Sequence, residues 1–408
     1  VLALAALTLA GAAAKTQRLH LATATIVASR WPYLPGSVLP LRIEGISGPY
    51  SVSILGPGRL LNGNTYAIPT TSQAGTALLV VGNQAGFGTT RVRIGAPPVA
   101  RPLLLVASYD EGLVLHDERN FSVIGVLATG GVPSDVAVDR AGNAIVTDTQ
   151  GSQLTLAGLA TSWDVARVGD VPFGDEVAAD NALHAIFVTN RDWNGAGALT
   201  RVAGAGDAVV THVGTGETAE GLAVDERRQI VYVANTNDGT IAFVDARSMR
   251  IIRRFPAVAR VFSLALSPDG TRLYAISNQA VDSPFGKAGE AIEISLEGPL
   301  PRIVARSGKL SFPLGVALDD RANTLFVGDE DRGAIDVLDA RTLRPKRAAL
   351  ATCSIPWKLT LDSASERLYV PCAGDNEIDV FDTRSLRRVA HAPFATGGYP
   401  LAIAVWRP

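Results

Sequence analysis

The stretch Ala219-Glu-Gly-Leu-Ala-Val-Asp-Glu-Arg-Arg-Gln-Ile-Val-Tyr-Val-Ala-Asn-Thr-Asn-Asp-Gly-Thr-Ile-Ala-Phe-Val-Asp-Ala-Arg-Ser248 reads as three short strands. Leu222 to Val224 and Ile230 to Ala234 are apolar runs split by the polar turn Asp225 to Arg228, and Asn235 to Gly239 turns the chain into a third run, Thr240 to Val244. The same grammar recurs. First-strand copies are Val136-Ala-Val-Asp139, Val177-Ala-Ala-Asp180, Leu222-Ala-Val-Asp225, Leu264-Ala-Leu-Ser267, Val316-Ala-Leu-Asp319, Leu359-Thr-Leu-Asp362 and Ile403-Ala-Val-Trp406. Their middle column, Ala137, Ala178, Ala223, Ala265, Ala317, Thr360 and Ala404, is spaced by 41, 45, 42, 52, 43 and 44 residues. Such a period with several short strands per copy is what β-propeller blades produce. The small middle residue fits an innermost strand, which has least room where blades converge. Second strands such as Ile230-Val-Tyr-Val233 and Leu325-Phe-Val327 are apolar on both faces, as a sheet packed between two others requires.

The repeat opens in mid-blade. Leu103 to Ala107, Leu113 to Leu115 and Phe121 to Leu127 match strands two to four, with no first strand before them. Leu401 to Val405 supplies it from the other end, so the expected fold class is all-β, a seven-bladed propeller over 99–408 closed by the C-terminal strand. Before it, 20–96 shows six or seven short strand-like runs broken by Pro/Gly turns, which predict a small antiparallel β-sandwich joined by a linker from Gly95 to Pro102. Residues 1–14, Val1 to Ala14, are an apolar run ending in small residues, expected to be the remnant of a secretory signal peptide. No later run is long and apolar enough for a spanning helix. With a formal net charge of -2 and 32 Arg and 5 Lys scattered over the repeats, nucleic acid is not an expected partner.

Phe187-Val-Thr-Asn190 and Tyr232-Val-Ala-Asn235, with the weaker Tyr274-Ala-Ile-Ser-Asn278 and Phe326-Val-Gly-Asp329, resemble the YVTN-type β-propeller repeat of exported bacterial and archaeal proteins. The resemblance covers about 99–408 and implies a fold and an exported, secreted or periplasmic setting. It leaves activity open, because YVTN, lactonase-like and quinoprotein-like propellers share blades and differ in function. Leu368-Tyr-Val-Pro-Cys372 departs from it, Cys standing where Asn or Asp is usual. The N-terminal strands resemble Ig-like modules by pattern alone, without a Cys–Trp–Cys framework.

Asp245-Ala-Arg-Ser-Met-Arg250, Asp339-Ala-Arg-Thr-Leu-Arg344 and Asp382-Thr-Arg-Ser-Leu-Arg387 repeat an Asp, Arg and Ser/Thr set after the third strand. Repetition argues for turn-forming side chains and against catalysis. Positions that differ between blades carry more information. The residues entering strand one, Ser134-Asp135, Asp175-Glu176, Glu220-Gly221, Phe262-Ser263, Leu314-Gly315, Trp357-Lys358 and Leu401-Ala402, share one face with the loops after strand two. Three consecutive blades offer Asp135, Asp175, Glu176 and Glu220; the next four offer large apolar side chains and Lys358. Trp193 and Phe285 lie in the two long loops of that face, and with Phe262 and Trp357 complete the aromatic candidates.

The five His lack metal-ligand spacing, and there is no nucleophile elbow or phosphate loop, so no catalytic residue is assigned. The four axial acids could hold Ca²⁺, although the Asn expected beside such a centre is absent from these columns. The expected function is therefore recognition of a protein or glycan partner by this face, with a metal-assisted, lactonase-like hydrolase as the alternative. Cys353 and Cys372 are expected to form a disulfide: Cys372 ends a strand whose partner residue is near Pro356, and the loop before it carries Cys353 back within reach.

Overall fold

The computed structural model describes residues 22–23, 25–26, 28–84, 86–193, 196–203, 208–278 and 289–408. Residues 1–14, read as a signal remnant, lie outside them, as does Phe285. The described chain from Leu103 onward forms seven four-stranded antiparallel sheets. Their innermost strands are, for blades 1 to 7, Pro400–Trp406, Val136–Val138, Gly174–Asp180, Ala219–Asp225, Val261–Leu266, Pro313–Asp319 and Thr360–Asp362. Each inner strand contacts the next, and Pro400–Trp406 contacts Val136–Val138, so the circuit closes. Blade 1 joins chain ends: Pro400–Trp406 pairs antiparallel with Leu103–Ser108, with Leu105 opposite Ala404 and Leu103 opposite Trp406. Arg407, one residue further, donates to Glu118 of blade 1 at 2.6 Å and to Asp362 of blade 7 at 2.5 Å, latching the seam.

The register explains the small-residue column better than radial crowding does. Ala178, Ala223, Ala265, Ala317 and Thr360 sit directly opposite Phe187, Tyr232, Tyr274, Phe326 and Tyr369. Those five rings are among the largest fully buried side chains. A small residue leaves its cross-strand neighbour room to turn an aromatic ring into the interface between blades.

The repeated Asp motifs are turns. Asp245 accepts the Ser248 N–H and hydroxyl, both at 2.7 Å, and Asp382 repeats this with Ser385 at the same distances. Asp339 does so with Thr342 at 2.9 and 3.0 Å. The next residue in each, Met249, Leu343 and Leu386, has a positive φ of 53, 53 and 55°. These hydrogen bonds hold the Asp245, Asp339 and Asp382 carboxyls below their usual range.

The N-terminal region differs in detail from the expected antiparallel sandwich. It consists of a four-stranded, a three-stranded and a two-stranded sheet, and the four-stranded one contains a parallel pair, Ala22–Thr23 with Gly86–Ile94. Ala22–Thr23 and Thr25–Ile26 belong to different sheets, as do Val38–Pro40 and Ile43–Glu44. The intervening segment docks on the ring. The Leu34 N–H donates to Val126 O at 2.7 Å, the Val38 N–H to Ala128 O at 2.8 Å, and Trp163 Nε1 to Pro35 O at 2.7 Å. Leu34 is fully buried among side chains of blades 1 and 2.

Cys353 and Cys372 are bonded, with Cα atoms 5.6 Å apart, and Pro356 bridges Cys372 as the hairpin reading required. By the chain-entropy estimate such a loop contributes about 3 kcal/mol. The bond ties the strand end to the loop that presents Trp357.

Candidate functional site

Entry residues from all seven blades converge on an axial cavity of about 440 Å³. Asp135, Asp175, Glu176, Glu220, Phe262, Trp357 and Lys358 line it, with Leu314 and Leu401. The chain thus brings together residues up to 267 positions apart, from Ser134 to Leu401, because each blade contributes the start of its inner strand. Trp193 ends the strand Ala185–Trp193 and pairs with Ala196; its side chain lies outside the described residues.

The acids do two jobs. Asp135 Oδ2 accepts the Val177 N–H of blade 3 at 2.9 Å, and Glu176 Oε2 accepts the Leu222 N–H of blade 4 at 2.8 Å. Each carboxylate therefore staples its own blade to the next. Thr147, just past the second strand of blade 2, and Thr189, on that of blade 3, add to these links by donating to Asp175 O at 3.0 Å and Glu220 O at 2.7 Å. Facing the cavity, Lys358 contacts Asp135 Oδ2 at 2.5 Å and Glu176 Oε2 at 3.5 Å. Arg191 reaches Asp175 at 3.1 Å and Glu220 at 3.3 Å.

Burial dominates the electrostatics. It pushes Glu176 up to about 8, Lys358 opposing the rise and Asp135 and Asp175 adding to it. Burial likewise raises Asp175 and Glu220 against the pull of Arg191. For Lys358 burial works the other way, yet Asp135 and Glu176 outweigh it and hold the ammonium above its ordinary value. A carboxyl that is neutral in the folded protein until about pH 8 and ionises near 4.5 when unfolded favours folding fully below pH 4.5 and ceases to do so as pH rises to about 8. Glu176→Gln removes this titration. Urea unfolding at a series of pH values should therefore show the variant gaining on the parent between pH 4.5 and 8; a constant difference would contradict the raised carboxyl.

The four axial acids expected to hold Ca²⁺ are engaged by cations and N–H groups of the chain itself. The four carboxylates share one cavity with Lys358 and Arg191, and backbone N–H groups take further lone pairs. Among the described residues no group of three or more His, Cys, Asp or Glu is arranged to hold a metal ion.

Opposite the acids runs an arc of rings. Phe262 and Trp357 meet edge to face at 6.5 Å, Trp357 and Tyr399 at 6.3 Å, and Tyr399 and Tyr109 edge to face at 6.1 Å. Gln150 Nε2 donates to the Tyr109 hydroxyl at 2.8 Å. Tyr109, Tyr399 and Arg191 were not singled out by the entry columns. Tyr399 precedes the closing strand, Tyr109 follows its partner strand, and Arg191 lies near the end of the strand Ala185–Trp193, where the sequence reading placed a long loop, so none falls in a repeating column.

The fold and its funnel define a seven-bladed β-propeller. No family model matches the chain, and no curated protein matches it. Solved structures do. A functionally unknown protein from Desulfotomaculum acetoxidans is 14% identical, with a TM-score of 0.61 over 76% of this chain and 100% of its own. The periplasmic gluconolactonase of Pseudomonas aeruginosa is 14% identical, with a TM-score of 0.62 over 74% of this chain and 98% of its own. A putative 6-phosphogluconolactonase from Bacteroides uniformis is 10% identical, with a TM-score of 0.60 over 75% and 100%. At these identities the likeness is one of fold.

Proposed function

We propose that this is an exported binding protein whose funnel recognises a glycan. One observation carries the reading: the cavity sets an arc of rings, Phe262, Trp357, Tyr399 and Tyr109, against an arc of hydrogen-bonding carboxyls already held by Lys358 and Arg191. A pyranose has the matching division, an apolar C–H face that lies on an aromatic ring and a rim of hydroxyls that donate to carboxylates. A carboxyl like Glu176, protonated near neutrality, can both donate and accept there. The disulfide supports an oxidising, secreted or periplasmic setting, and no helix of the described residues is long and apolar enough to cross a membrane. We read 20–96 as an Ig-like module that accompanies the 99–408 propeller.

A glycan array followed by calorimetry tests this. Wild-type protein should retain a defined saccharide, and Trp357→Ala should weaken it about tenfold or more while leaving cooperative unfolding in place. Failure of the wild type to bind any saccharide on the array would end the glycan reading. The second reading, a metal-assisted, lactonase-like hydrolase, draws on the clustering of Asp175, Glu176 and Glu220. It requires these side chains to leave Lys358 and Arg191. Divalent ions should then raise the melting temperature and alanine at the three acids should abolish the shift.

A further inference from the structure

The face opposite the funnel carries the turns that join strands one to two and three to four. Between blades 6 and 7 those turns border a cleft of about 620 Å³. We propose that this cleft is a second binding site, for a small polyanion carrying carboxylate or phosphate groups.

The cleft follows from how two blades end. The outer strand of blade 4, Arg250–Pro256, pairs with its neighbour along its length, down to Arg250 opposite Asp245. The outer strands of blades 6 and 7 are only two residues each, Leu350–Ala351 and Phe394–Ala395. After the Asp339 turn the chain makes one bridge, Pro345 to Leu338, and then overhangs the gap with Lys346 and Arg347.

Four cations line this gap, Arg321, Lys346, Arg347 and Arg384, against two acids, Asp319 and Glu366. Both acids are engaged: Asp319 accepts the Ala322 N–H at 3.0 Å, and Glu366 pairs with Arg384. Lys346 directs its ammonium to Ala322 O at 2.6 Å, Thr324 Oγ1 at 3.0 Å and Asn323 O at 3.4 Å, so it adds charge without a free donor. Arg321 and Arg347 have no hydrogen-bond or ion-pair partner among the described residues. Two unpaired guanidinium forks at a concave, net-positive gap match the paired oxygens of a carboxylate or phosphate.

Calorimetry of the full chain at low salt with citrate, pyrophosphate and, as a neutral control, glycerol tests the proposal. At least one anion should bind, glycerol should not, and which anion binds distinguishes carboxylate from phosphate recognition. Arg321→Ala with Arg347→Ala should weaken binding about tenfold or more, and added salt should weaken it in the parent. Arg347→Gln alone gives a milder variant with a partial loss, should the double variant melt early. Trp357→Ala, in the funnel, should leave anion binding unchanged. Absence of binding by both anions, or equal affinity in parent and double variant, would overturn the site.

Discussion

Deleting residues 400–408 should abolish the cooperative melt of the ring and drive the protein into aggregates. The deletion strips the inner strand from blade 1 and leaves Leu103–Ser108 as an open edge. It also removes Leu401, Ile403 and Trp406, all buried, whose burial contributes about 1.5–3 kcal/mol each. That sum approaches the whole stability of an ordinary domain, about 5–15 kcal/mol. Loss of Arg407 unlatches blade 7 from blade 1 in addition. Size-exclusion chromatography and a thermal unfolding curve decide the matter. A monomer melting like the parent would show that the ring does not depend on this closure.

Lys358→Met is expected to cost about 2–3 kcal/mol, the second-largest effect. Methionine fills similar space, so the loss is electrostatic: Asp135, buried, and Glu176 lose their shared cation while facing Asp175 in the same cavity. Breaking a fully buried pair costs about 3–5 kcal/mol, and the lysine side chain, 30% exposed, warrants a value below that range. The penalty should grow as pH rises through the Glu176 transition near 8, because the parent's lysine favours the ionised carboxyl there. Chemical denaturation of parent and variant from acid to mildly alkaline pH measures both. Equal stabilities across the series would mean that the lysine is solvated and not part of the carboxylate network.

The ring was legible in the sequence because its constraints repeat. A small residue opposite an aromatic one, Ala223 against Tyr232 or Ala317 against Phe326, recurs in five of the seven blades and leaves a countable period. The funnel was legible for the complementary reason: Asp175, Glu220, Phe262 and Trp357 occupy a shared position where the repeat stops dictating chemistry. Arg191 and Tyr399 escaped notice because Arg191 lies in a strand extension particular to blade 3 and Tyr399 just before the closing strand, places that no periodicity records. The docking of Leu34 against blades 1 and 2 was equally hidden, since one buried leucine in a non-repeating stretch has nothing to be compared with.

Tyr33 bridges Val126 of blade 1 on one side and Ile94 of the N-terminal sheet on the other. The two parts of the chain therefore share a strand-like splint, and the 95–102 connection is not what sets their angle. Lengthening the 95–102 connection would therefore leave the N-terminal sheets held against blade 1 through Tyr33.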